Sequence, residues 1–162
     1  MKKERINKPE IKLAGLSIRT NTQNEMTPQT AKIKGLIEQF KNESIAEQIT
    51  NRIHPGICFA VYTDYESDEH GDYTYFIGEQ VDSFEGITSH LQQLVIPPST
   101  YQKFTTSYGP MPEVVINAWQ HIWQMSPDEL GGKRIYVADF EVYDERASDP
   151  SKTCLDIYIG IK

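Results

Sequence analysis

Apolar and polar positions alternate with two different periods along this chain, and the change of period divides it into elements. KLAGLSIRT, residues 12–20, sets Leu13, Leu16 and Ile18 among polar and small residues and predicts a strand with an irregularity at Gly15. After the polar stretch NTQNEMTPQT, Ile33, Leu36, Ile37, Phe40, Ile45 and Ile49 mark one apolar face, which predicts a helix from about Gln29 to Thr50. Thr27-Pro28 suits its start, since the fixed φ of proline is already helical. His54-Pro55-Gly56 breaks the chain. The strand patterns ICFAVYTDY (57–65) and DYTYFIGEQV (72–81) then flank the acidic turn ESDEHG, which predicts an antiparallel hairpin.

The second half repeats that order. After a connecting stretch ending in LVIPPST, YQKFTTS (101–107) alternates like a strand, and Tyr108-Gly109-Pro110-Met111-Pro112 is a turn. EVVINAWQHIW predicts a helix from about Glu113 to Gln124, with Val115, Ala118, Trp119, Ile122 and Trp123 on one side. Strand patterns at about 134–144 and 153–162 close the chain around the turn ERASDPS. The matching order implies a single domain over 1–162 made of two β-α-β-β units, about 12–82 and 101–162. The expected fold class is α+β. The two units form one antiparallel sheet with both helices on one face and a ligand cleft at the seam on the other.

Side chains alternate across a strand, so each strand splits into two faces. In ADFEVYD, Phe140 and Val142 suit the helix-covered core, which leaves Asp139, Glu141 and Tyr143 on the ligand side. In LDIYIGIK the isoleucines suit the core, which leaves Tyr158 opposite. A strand carboxylate is often simply solvated. The aromatic wealth shifts the reading: nine Tyr, six Phe and two Trp cannot all fit a modest core with their hydroxyls satisfied. Rings around a carboxylate are a physical means of holding an organic cation. The expected ligand-binding set is Glu141, Tyr158, Tyr143, Trp119, Tyr62, Tyr75, Phe76 and Tyr108. Trp119 and Trp123 share a helix face, and either core packing or one ring at the pocket rim accounts for them.

Charge narrows the partners. The formal net charge is −7, from 23 acidic against 16 basic residues, and the basic residues form no stripe beyond Lys2, Lys3 and Arg5. Such a chain is repelled by a phosphate backbone, so direct nucleic-acid binding is not expected. The acidic turn Asp64–Glu69 either is solvated or mimics phosphate toward a protein partner. No apolar run is long enough for a membrane helix, and no apolar segment follows the basic N-terminus, which predicts a cytoplasmic protein. Cys58 and Cys154 read as buried thiols, and the scattered histidines predict no metal site and no cofactor.

The order of elements, AWQHIW after a Tyr-Gly-Pro turn, the segment DFEVYDE and the ending IYIGIK together resemble the GyrI-like effector-binding domain. That domain also forms the ligand-sensing half of multidrug-responsive activators of the MerR and AraC classes. The resemblance runs from about Glu10 to Lys162. It departs from the family in the short segment MSPDELGGK and in Gly160, where proline is common. The resemblance implies lipophilic cationic ligands held by a buried glutamate, which matches Glu141, beside an aromatic on the last strand, which matches Tyr158. Only about ten residues precede the first strand, too few for a helix-turn-helix, so a stand-alone member is expected. The leading expectation is a binding module for small amphipathic or cationic aromatic compounds. Two alternatives stay open: a hydrolase of cyclopropane-bearing natural products, with Glu141 as its catalytic acid–base and Tyr158 as hydrogen-bond donor, and an inhibitor of a DNA-processing enzyme.

Overall fold

The computed structural model describes residues 1–162. Eight strands form one antiparallel sheet: β1 (Lys2–Lys8), β2 (Ile11–Thr20), β3 (Cys58–Thr63), β4 (Tyr73–Gln80), β5 (Gln92–Ile96), β6 (Ser99–Thr105), β7 (Ala138–Tyr143) and β8 (Asp156–Ile161). Their order across the sheet is β1-β6-β8-β7-β3-β4-β2-β5. The triples β6-β8-β7 and β3-β4-β2 meet at the β7–β3 pair, and exchanging one triple for the other maps the order onto itself. No helix is long and apolar enough to cross a membrane.

Two strands are absent from the pattern-based expectation, and both belong to a ribbon that shapes the sheet. KKERINK forms β1 and QQLVI forms β5. The pairing keeps one register through both outer ladders: Lys2 faces Thr105, Lys8 faces Ser99, Ile11 faces Ile96 and Gly15 faces Gln92. β1-β2 and β5-β6 are thus one two-stranded ribbon, bent where Pro9, Pro97 and Pro98 remove ladder donors. Three peptide steps from Lys8 to Ile11 reach no more than about 11 Å. Yet β1 and β2 lie near opposite ends of the strand order. The sheet therefore curls until its flanks meet at the bend.

The helices are α1 (Thr22–Glu25), α2 (Ile33–Asn42), α3 (Glu113–Trp123) and α4 (Pro127–Leu130). The long helix expected over 29–50 is shorter. It starts where the Glu25 carboxylate accepts from the backbone N–H groups of Lys32 and Ile33, at 2.9 and 3.1 Å. It ends at Asn42, and Ser44, with a φ of 51°, then turns the chain into a short 3₁₀ segment, Ile45–Gln48. α2 buries Leu36 and Phe40 on Ala14, Leu16, Tyr73, Tyr75 and Ile77, while α3 buries Ala118, Trp119 and Ile122 on Phe104, Ile157 and Ile159. The register places all these strand residues on one face, so both long helices cover the same side. Each fully buried Leu, Ile or Phe contributes about 1.5–3 kcal/mol there.

The opposite face is also buried, and no helix covers it. Leu13, Val61, Phe76, Tyr101, Phe140 and Tyr158 pack there with Ile11, Phe59 and Ile96, enclosed by the curl of the sheet. This reverses the expected phase of β7. Phe140 and Val142 lie on the concave, helix-free face, and Glu141 and Tyr143 lie under the helices. Regular pairing of Ala60 with Glu141 and of Phe140 with Tyr158 fixes that phase without a bulge. The irregular stretch is 134–137, where Tyr136 has a φ of 53°, so β7 starts at Ala138 rather than near Arg134.

Candidate functional site

Glu141 sits near the middle of β7, between Ala60 on β3 and Ile157 on β8. The small Ala60 side chain leaves volume beside the carboxylate, and neighbouring strands and α3 fill it with aromatic donors. Trp119 Nε1 donates to Glu141 Oε2 at 2.7 Å, and the Tyr62 hydroxyl donates to the same oxygen at 3.0 Å. The Tyr143 hydroxyl donates to Oε1 at 2.5 Å. Only 3% of Glu141 is exposed, and none of the ion pairs in the molecule includes it.

A carboxylate held this way is under two opposing influences. Burial pushes the Glu141 carboxyl above its ordinary value, while the donors from Tyr143, Trp119 and Tyr62 pull it down; burial prevails. The same burial, with the Glu141 charge nearby, holds the Tyr62 and Tyr143 hydroxyls well above the usual phenol range, so both remain neutral donors.

The rings form a continuous wall. Tyr62 lies edge-on to Trp119 and Tyr75, with centroids 5.2 and 5.4 Å away, and tilts against Tyr73 at 5.5 Å. Trp123, half exposed, follows Trp119 at 6.3 Å and carries the row of rings to the surface. Cys58 pairs with Tyr143 across the β3–β7 ladder, and burial first, then Glu79, pushes its thiol up to about 12.

Of the residues expected around the ligand, the structure gathers Glu141, Tyr143, Trp119, Tyr62 and Tyr75. It places three elsewhere. Tyr158 and Phe76 belong to the concave face, because their strand positions alternate with those pointing toward the helices. Tyr158 stacks on Phe140 at 4.6 Å. Tyr108, in the turn before α3, is largely exposed, with the Lys152 ammonium 5.9 Å from its ring. Glu141 and Tyr158 therefore lie on opposite sides of the sheet, and the pairing imagined for hydrolysis is not formed. Sequence reasoning did not single out Tyr73, Cys58 or Ala60 for the site. Once β3 is phased by its hairpin with β4, alternation alone aligns Cys58, Ala60 and Tyr62 on one face.

An eight-stranded antiparallel sheet with two helices on one face is the framework of an effector-binding protein. The chain belongs to the Cass2 family of integron-associated effector binding proteins, whose model matches residues 6–161. YobU of Bacillus subtilis (strain 168), which carries the name of a transcriptional regulator, is 30% identical over 151 residues, covering 93% of this chain and 92% of that protein. Among solved structures, the integron cassette protein VCH_CASS2 from the mobile metagenome of Vibrio cholerae superposes with a TM-score of 0.79 at 26% identity, over 99% of this chain and 95% of that one. SAV2435, solved bound to tetraphenylphosphonium, superposes with a TM-score of 0.77 at 18% identity, over 100% of this chain and 94% of that one.

Proposed function

We propose that this chain binds lipophilic organic cations against Glu141, with Tyr62, Tyr75, Trp119 and Tyr143 as the walls of the site. The observation that carries the reading is a buried carboxylate with three neutral donors and no cationic partner. Such a group bears a desolvation cost that an incoming cation offsets and a neutral molecule does not. The tetraphenylphosphonium bound by SAV2435, a protein of the same fold, is a ligand of the chemical class this site suits.

The hydrogen bonds favour one kind of cation over another. An ionised carboxylate offers about four lone-pair positions. Three are already used by Trp119, Tyr62 and Tyr143. A primary ammonium, which needs acceptors, competes with these donors. A phosphonium or quaternary ammonium needs only charge and ring faces, and leaves them in place. Because Trp119 and Tyr62 close over the carboxylate, entry requires their rings, and with them part of α3, to give way.

The test is a fluorescence titration. Trp123→Phe leaves Trp119 as the single indole. Tetraphenylphosphonium should then change Trp119 emission saturably, and neutral triphenylphosphine oxide should do so much more weakly. Equal responses to both compounds, or no saturable response to either, would refute the reading.

A further inference from the structure

The concave face of the sheet carries a cavity of about 240 Å³, separate from the Glu141 cage, at the bend of the ribbon. Its apolar wall is Phe59, Phe140, Val142 and Tyr158, and its polar rim includes Lys8 and His54. Phe140 and Tyr158 stack nearly parallel, 16° apart, and this stacking closes Phe140 off, so the apolar surface open to the space comes from Phe59, Ile57 and Val142. The Lys8 ammonium is 5.2 Å from the centroid of the Tyr158 ring.

The residues that line this cavity differ in charge from the molecule as a whole. The chain carries a net charge of −7, yet no Asp or Glu lines the cavity. Asp156 shares a face with Tyr158 on β8, but Arg146 at 2.8 Å and Lys103 at 3.9 Å already engage its carboxylate. Lys8, half-buried at the rim, is in none of the ion pairs of the structure. An apolar cavity edged by Phe59, with an ammonium outside any ion pair at its rim, is complementary to a small anion that carries an apolar ring.

We propose that this cavity is a second binding site, for a small aromatic carboxylate whose ring packs against Phe59, Ile57 and Val142 and whose anion meets Lys8. It is independent of the cation reading, since its residues point to the other side of the sheet. The same strand serves both: Glu141 and Tyr143 face the helices, while Phe140 and Val142 face the cavity.

The experiment titrates the isotope-labelled full chain with phenylacetate, phenylacetamide and phenethylammonium, followed by NMR. Phenylacetate should give saturable shifts at the ribbon bend and along β7 and β8. A ligand of about ten non-hydrogen atoms should bind with a dissociation constant on the order of 1 mM. Phenylacetamide should bind about 5-fold more weakly, and Lys8→Gln should weaken phenylacetate by a similar factor, the scale of one partly solvated charge contact. Val142→Trp should fill the space and abolish the shifts. If that variant does not fold, Lys8→Gln, at a half-buried rim position, and the three-probe comparison decide alone. Equal binding of the acid and the amide, tighter binding of phenethylammonium, indifference to Lys8→Gln, or no saturable shift would each overturn the proposal.

Discussion

Replacing Glu141 with Gln separates what the carboxylate does for the ligand from what it costs the fold. The change keeps the shape and an acceptor for Trp119 Nε1, and it removes the charge. A cation centred about 5 Å from the carboxylate gains about 3 kcal/mol at an effective dielectric of about 20. The amide dipole recovers part of that, so the net loss should be about 1–3 kcal/mol, or roughly 5- to 150-fold in the dissociation constant for tetraphenylphosphonium. Stability should move the other way. Burial raises the Glu141 carboxyl, so the ionised form is less at home in the folded protein than a neutral one. A gain of about 1 kcal/mol at pH 7 would raise the midpoint of melting by about 2–4 °C for a domain of this size. Calorimetric titration and thermal melting on the same two samples give both numbers. Unchanged cation affinity in the variant, whatever its melting point, would refute the reasoning.

Cation affinity should climb with pH through the raised Glu141 value, above the ordinary 4.5, and level off once the carboxylate is ionised. The stability linked to the same group has the opposite sign: it is fully present below 4.5 and lost as pH rises through the folded value. Melting curves across that range check the second trend, and binding isotherms the first. A phosphonium should bind more tightly than phenethylammonium of equal charge, because three of the carboxylate's lone pairs are engaged; the reverse order in a competition titration would contradict this. Glu25→Ala should destabilise the fold by about 1–2 kcal/mol in urea denaturation, since Glu25 caps α2 through Lys32 and Ile33 and also accepts from the Thr20 hydroxyl at 2.6 Å. Gly15→Ala should prevent folding or cost well over about 3 kcal/mol, because a Cβ there would lie 1.9 Å from the Ile77 carbonyl oxygen; a melting point near wild type would show that β2 and β4 can separate at Gly15 and Gly78.

Elements with a strong one-sided pattern were legible. The hairpin of β3 and β4, α3, and the isoleucine face of β8 could be read because one period ran through each of them. The helix at 29–50 was overextended because Ile45 and Ile49 keep a helical spacing that says nothing of the left-handed turn at Ser44. β1 went unread because KKERINK has one apolar residue, Ile6, and lies at a sheet edge where most of its side chains meet water. β5 is five residues long and adjoins Pro97-Pro98, so it looked like a connector.

The phase of β7 is the instructive failure, because it concerns the carboxylate on which the proposed function rests. Polar residues point outward only where a strand has an outward side, and β7 has none. Ala138 and Phe140 are buried on the concave face, and Asp139 and Glu141 are buried under the helices. With both sides dry, alternation still separates the two sets but no longer says which set meets the helices. The neighbours settle that. Val61 and Tyr158 flank Phe140, with the Tyr158 ring stacked on it, while Ala60 beside Glu141 leaves space for three donors. Asp139, on the same side, is satisfied by Arg134, by the Tyr65 hydroxyl and by the Gly160 N–H. Glu141 is the carboxylate of that pair left without a cation. Two acids two residues apart on one strand thus part ways: Asp139 is balanced within the protein, and under the proposed function the charge of Glu141 is left for a ligand to balance.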